Sequence, residues 1–259
     1  MVDLLSIRIE NNNRTSIPGK VIGQNRCKQG TMIDKTIQIE EAIGRIADGA
    51  VIMVGGFGVP GTPFMLIQEL VRQNKKHLTV IKNDANEPDM GVDHLLKNGQ
   101  VAKLIVSHLG LNPHAIQMMN EGRIEVEFCA QGILAERIRA AGAGLPGFLT
   151  DIAMGTLLAR DKPMIEFEGQ IYLLEKALNA DVALIHAHAS DPFGNLLYAG
   201  SARNFNPVMA MAAGTVIAET ENLLPLGGIA AEAVHTPGPF VDHVVHLQEL
   251  TGEYAVVRR

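Results

Sequence analysis

The 259 residues can bury the core of one α/β domain or of two small ones, and 47% hydrophobic with 19% charged residues is the balance of a globular chain. A net charge of −6, the absence of Trp and an aromatic share of 4% argue against nucleic acid, base stacking or an anionic membrane as the main business of the molecule. The two cysteines, Cys27 and Cys129, share no spacing pattern and point to a reducing, cytoplasmic setting, and Gly, Asp or His interrupts the longest apolar stretches before they reach bilayer length.

In chain order, residues 1–31 come first and differ from the rest. Glu10 to Ser16 is polar and aperiodic, and no long apolar core of a secretory signal is present. Residues 1–31 are read as an N-terminal extension, non-native or disordered, with Met32 as the natural start of a single domain over 32–259. Gln38 to Ala47 then carries apolar residues at helical spacing and stops at Asp48-Gly49. The strand Val51–Val54 runs into a glycine cluster, and a helix follows from about Pro63 to Gln73. Leu78–Ile81 reads as a strand ending at Lys82-Asn83-Asp84, and His94–Lys97 as a helix. Ala102–Val106 is the next strand, ending at Ser107-His108, and Ala115–Glu121 the next helix. Ile124–Phe128 is a strand ending at Cys129-Ala130-Gln131-Gly132, before a helix over Leu134–Ala141. Each strand ends in a short polar or glycine-bearing loop before a helix, which implies parallel strands with right-handed crossovers.

The second half differs. Gly142 to Gly147 reads as a loop, and Met164–Tyr172 alternates as an antiparallel excursion would. Asp181–Ala187 is a buried strand, Met209–Ala213 helical, and Thr215–Ala218 a later strand. No internal repeat or low-complexity tract is found. The fold class is α/β: an open, mainly parallel sheet flanked by helices, with a small antiparallel β excursion.

The loop Gly55-Gly56-Phe57-Gly58-Val59-Pro60-Gly61 is the most informative segment. It stands at the carboxyl end of a strand, where α/β proteins bind ligands. Glycines there let backbone N–H groups approach a ligand, and the next helix N-terminus favours negative charge. Its spacing is neither the dinucleotide fingerprint nor a triphosphate-binding loop.

That segment resembles the first signature of the family I coenzyme A (CoA) transferases, in their alpha subunits. The likeness continues through Lys82-Asn83-Asp84, Ser107 to Pro113, Ala130 to Arg139 and Gly142-Ala143-Gly144. It then runs through Asp191 to Asn195, Ser201 to Pro207, Thr236-Pro237-Gly238 and Val241-Asp242-His243, in order, from about residue 32 to about 247. Ser107 to Pro113 and Thr236 to Gly238 are most similar to the alpha subunits of acetate/butyrate–acetoacetate CoA-transferases. The resemblance implies an architecture related to ribose-5-phosphate isomerase. It also implies an enzyme that moves CoA from an acyl-CoA to a carboxylate such as acetoacetate, acetate or butyrate. There a glutamate attacks the thioester, and an acyl–glutamyl anhydride and then a glutamyl–CoA thioester carry the group through a ping-pong cycle.

In the family that glutamate lies in a Ser-Glu-Asn-Gly motif of the beta subunit, and this chain has none. Glu219-Thr220-Glu221-Asn222 is the nearest fragment, without a serine before the glutamate and with Leu223 where glycine should follow. No catalytic nucleophile is therefore expected here; the partner is the CoA-transferase beta subunit, in a heterotetramer of two copies of each (A2B2). By motif position Gly55 to Gly61 carry over as the CoA-binding segment, with Asn83 and Gln131 lining the active site opposite the partner's glutamate. An amide at those strand ends could instead be a loop cap, and the glycines a tight corner. CoA is a substrate, with no permanent cofactor.

Other readings carry less. The alpha subunit of a 3-oxoadipate or succinyl-CoA:3-oxoacid transferase, and a non-catalytic binding module of the same fold, are the alternatives. Cys129 reads as a small buried hydrophobe, and Ser201 to Asn206 as structural or interfacial. His186 and His188 alternate on a strand, but no helical His pair with a carboxylate marks a metal site, and none is expected. Relatives carry Pro-Gln-Gly-Thr where this chain has Ala130-Gln131-Gly132-Ile133. They often carry Thr-Pro-Thr-Gly-x-Gly-Thr where it reads Thr150 to Thr156, a change expected to bear on acyl preference.

Overall fold

The computed structural model describes residues 33–254, so the reading of residues 1–31 lies outside the described residues. In chain order the elements are α1 (Ile39–Gly44), β1 (Val51–Val54), α2 (Phe64–Arg72), β2 (Leu78–Ile81), α3 (Val92–Lys97), β3 (Val101–Val106), α4 (Pro113–Asn120), β4 (Glu125–Phe128) and α5 (Gln131–Gly142). There follow β5 (Gly147–Thr150), β6 (Met164–Phe167), β7 (Gln170–Lys176), β8 (Ala180–Ser190), β9 (Leu196–Leu197), α6 (Asn206–Ala212), β10 (Ala213–Leu223) and β11 (His243–His246).

The main sheet has the order β11-β10-β8-β1-β2-β3-β4, and every neighbouring pair along it is parallel. Among the described residues, β9 alone runs against its neighbour in this sheet, β8. Alternation along the strands supplies both faces of the core. Ile52, Val54, Val182, Leu184 and Ile217 pack on the face carrying residues of α1 to α4. Met53, Ala183, Ile185, Val216 and Ala218 pack on the face carrying α5 and α6. The result is a three-layer sandwich, the α/β class expected from the sequence.

The chain steps outward from β1 through β2 and β3 to β4, then returns to the other side of β1 with β8, β10 and β11. The strand order therefore reverses between β1 and β8. In an open α/β sheet such a reversal leaves a crevice at the carboxyl ends of the strands, and the glycine loop that follows β1 borders it.

The excursion is a separate antiparallel sheet of order β5-β7-β6. Its β6–β7 hairpin turns at Glu168 and Gly169, whose φ values of 52° and 78° are those a two-residue turn needs. Several boundaries differ from the sequence reading: α6 starts at Asn206 rather than Met209, β8 runs on past Ala187 to Ser190, and Gly147, read as the end of a loop, opens β5. Helix α5 starts at Gln131 rather than near Leu134, and β10 continues past Ala218 through Glu219 and Glu221 to Leu223.

Candidate functional site

The glycine loop is held by its own backbone and by three neighbouring segments. Gly55 N–H donates to Leu184 O at 2.9 Å, Phe57 N–H to Pro60 O at 3.1 Å and Thr62 N–H to Val59 O at 3.1 Å. Gly58 N–H donates to Asp84 Oδ2 at 2.8 Å, while Gly58 O accepts from Thr62 Oγ1 at 2.6 Å and from Asn86 Nδ2 at 2.9 Å. From the third side, Asn204 Nδ2 donates to Pro60 O at 2.9 Å and Asn206 Nδ2 to Gly61 O at 3.1 Å. The Ser201-to-Asn206 motif thus has a physical role: two of its asparagines pin the loop's carbonyls. Within the loop the N–H groups of Gly56, Val59 and Gly61 donate to nothing among the described residues. These are the donors left for a ligand.

The N-terminus of α2, which follows the loop, is already answered by a carboxylate. Pro63 gives it no side-chain cap; instead Glu219, fully buried on β10, accepts the Leu66 N–H at 2.9 Å. The anion that this helix end favours is the chain's own.

Beneath the loop lies a buried polar layer at the carboxyl end of β2. Lys82 Nζ sits 3.3 Å from Asp84 Oδ1, with the Lys82 side chain fully buried. Burial works against the Asp84 carboxylate, but the Lys82 charge and N–H donors from Gly58, Asn86 and Asn83 outweigh it and hold its pKa below the usual range. Burial lowers the pKa of Lys82, with Asp84 opposing. Asn83 is fully buried, donating from Nδ2 to Asp84 Oδ2 at 3.2 Å while its Oδ1 accepts from Ser107 Oγ at 3.2 Å.

A second network lines the other side. His186 Nδ1 lies 2.9 Å from Glu219 Oε1 and its Nε2 lies 3.0 Å from Glu221 Oε1; His188 Nδ1 reaches Glu221 Oε2 at 3.0 Å. Tyr254 donates its hydroxyl to Glu219. Burial by itself would depress the His186 pKa, but the hydrogen bonds and charges of Glu219 and Glu221 raise it above its ordinary value. Burial and the adjacent Glu219 push the Tyr254 phenol far up, so it stays protonated. A cavity of about 540 Å³ lies between the two networks, with Phe57 to Gly61 and Asp84 on one side and His186, Glu221 and Tyr254 on the other.

The expected residues are thus placed unequally. The glycine loop lines the cavity, and Asn83 lies in the layer below it. Gln131 is exposed as the first residue of α5, at the carboxyl end of β4. That is three strand spacings from β1, roughly 14 Å at the usual separation of paired strands. Its neighbour Ala130 lines a separate apolar hollow with Phe128, Ile152 and Leu157, so the altered 150–156 segment borders the Gln131 end of the sheet. Sequence reasoning does not single out His186, Glu219, Glu221 or Tyr254 as site residues. A signal for the strand residues is nonetheless present: polar side chains two apart in otherwise apolar strands, with Glu219 standing opposite His186 in the parallel register.

Comparison with known proteins places the chain in a family. Residues 36–247 match the Coenzyme A transferase family. The chain belongs to that family. It is 47% identical over 222 residues to a probable coenzyme A transferase alpha subunit of Bacillus subtilis, covering 85% of this chain and 97% of that protein. It is 46% identical over 220 residues to the A subunit of a 3-oxoadipate CoA-transferase of Acinetobacter baylyi, covering 84% of this chain and 96% of that one. It is also 46% identical over 214 residues to the acetoacetyl-CoA:acetate/butyrate CoA transferase alpha subunit of Clostridium acetobutylicum, covering 83% and 98%. Among solved structures, the acyl-CoA transferase YdiF apoenzyme of Escherichia coli O157:H7 matches with a TM-score of 0.77 at 25% identity, over 87% of this chain and 50% of that one. This chain is of the CoA-transferase alpha type.

Proposed function

We propose that this alpha subunit serves a transferase moving CoA between a short-chain acyl-CoA and a carboxylate such as acetoacetate, acetate or butyrate. It does so in an A2B2 assembly with a beta subunit that carries the nucleophilic glutamate. The observation that carries the reading is the set of unengaged N–H groups on Gly56, Val59 and Gly61, at the point where strand order reverses and beside a ligand-sized cavity. When the partner's carboxylate adds to the thioester carbonyl, the C=O electron pair moves onto oxygen. Collapse then breaks the C–S bond, leaving an anhydride and a thiolate. Preorganised N–H donors stabilise that transient oxyanion, and removing one donor from such a site typically costs about 3–4 kcal/mol of barrier. Asn83 supports the loop from below, and Gln131 contributes an amide at the partner-facing edge further along the sheet.

Two relatives with different acyl substrates share the same identity with this chain, so overall similarity does not choose between them. The acetate/butyrate–acetoacetate reading rests on the local likeness of Ser107 to Pro113 and Thr236 to Gly238. The test is co-expression with a CoA-transferase beta subunit that carries the Ser-Glu-Asn-Gly motif, followed by an assay of acetoacetate, butyrate, acetate, succinate and 3-oxoadipate as acceptors. The first three are expected to be used best. A clear preference for succinate or 3-oxoadipate overturns the substrate assignment.

A further inference from the structure

We infer that the buried Lys82–Asp84 ion pair is a positioning device that sets the conformation of the CoA loop at Gly58; this rests on the reading of that loop as the CoA site. Gly58 adopts φ +60°, yet a Cβ there would meet nothing within 4 Å. Steric packing therefore does not hold this residue in the left-handed region. Hydrogen bonds do. Its N–H ends on Asp84 Oδ2 at 2.8 Å. Its carbonyl accepts from Asn86 Nδ2 at 2.9 Å and from Thr62 Oγ1 at 2.6 Å, with Lys82 Nζ at 3.5 Å. Asp84 Oδ1 also accepts the Asn86 N–H at 2.7 Å. Both polar groups of Gly58 thus terminate on one buried frame made by Lys82, Asp84 and Asn86, with the loop's own Thr62.

The pair is not explained by stability alone. Burying two opposite charges costs desolvation, and neutral replacements of similar shape are often no less stable, whereas removing one partner strands a charge. What the carboxylate adds is a charge-assisted acceptor for two backbone N–H groups at once. Those bonds orient the segment that carries the unengaged Val59 and Gly61 N–H groups. Lys82 and Asp84 are positioning residues: neither need touch the reacting atoms.

The experiment is hydrogen exchange on the full chain and turnover of its complex with the beta subunit, for Lys82→Met, Asp84→Asn and the double variant. Each single change should accelerate exchange of the loop's hydrogen-bonded amides, Phe57, Gly58 and Thr62, by about tenfold or more, the factor equivalent to losing one hydrogen bond to a charged group. Exchange in β10 should stay as in the wild type. Turnover should fall in kcat more than it rises in KM. The double variant strands no charge and keeps an oxygen acceptor at position 84, so it should recover much of both. Should either single variant fail to fold, Asn86→Ala removes the neutral leg, along with the acceptor of the Val92 N–H, and must still accelerate exchange at Phe57, Gly58 and Thr62 while leaving β10 unchanged. Unchanged loop exchange, or acceleration spread evenly over the sheet, overturns the inference. A wild-type complex with normal loop protection and no CoA transfer would instead sink the functional reading and leave the positioning role standing.

Discussion

Gly56 and Gly58 lie two residues apart in the same loop and need glycine for different reasons. At Gly56, φ is +97° and a Cβ would overlap Thr62 Oγ1 and lie 2.6 Å from Thr62 N. At Gly58 only the backbone preference opposes a side chain, about 1–2 kcal/mol for a left-handed L-residue. Gly56→Ala should therefore displace the Thr62 corner and abolish detectable turnover, while Gly58→Ala keeps a measurable fraction of it. Equal activity of the two variants in the assembled enzyme would contradict this. His186 supplies a second residue-level expectation. Its folded pKa is raised above 6.5 because Glu219 and Glu221 outweigh the burial that opposes them. Its contribution to stability is therefore complete below about pH 6.5, the unfolded imidazole value, and is lost as pH rises through the higher folded value. Melting midpoints should fall on the alkaline side of 6.5 in the wild type. His186→Asn should flatten that slope, and an unchanged slope would remove His186 from the account.

At the scale of elements, the parallel strands and the helices between them are legible because their apolar periods are regular. Val51–Val54 and Leu78–Ile81 end where the sequence says they do. Strand β10 reads short in the sequence because Glu219 and Glu221 look like a strand end, yet histidines across the register and the Leu66 N–H satisfy them inside the sheet. Tertiary partners override local polarity there. The glycine loop is legible as a site, but the distinction between engaged and unengaged N–H groups is not, since it depends on Asp84 and Leu184 arriving from distant segments. The same gap separates Asn83 from Gln131. Asn83→Ala removes buried hydrogen bonds to Asp84 and Ser107, so it should destabilise the fold by about 1–3 kcal/mol as well as slow turnover. Gln131→Ala lies on the surface and should leave stability within about 0.5 kcal/mol of wild type while lowering turnover. Denaturant titration beside a rate assay separates them. A destabilised Gln131 variant with normal turnover would make that residue a helix-end contact only.

For the whole molecule, the division of labour sets what the chain can do alone. It holds N–H donors and a cavity, but its nearest likeness to the nucleophile motif, Thr220-Glu221-Asn222, is built into β10 with Glu221 bonded to two histidines. Purified free of its partner, it should show no CoA transfer. A large share of its exposed apolar side chains lies in one stretch: Leu145, Leu149, Ile152, Met154, Leu157, Met164, Ile165, Phe167 and Ile171, with Leu157 77% exposed. Edge strand β6 contributes three of these, and all four of its residues are exposed. A concentrated apolar surface with an open strand edge is unfavourable in water and prone to pairing. The isolated chain should therefore self-associate at micromolar concentration, and the beta subunit should convert it into a defined A2B2 species in light scattering. Replacing Leu157 and Phe167 by Ser should reduce self-association without lowering the melting midpoint, since neither side chain is buried. An isolated chain that stays monomeric and ignores its partner would overturn the assembly, and with it the shared site, because a nucleophile on another chain acts only if the two surfaces meet to within about an ångström.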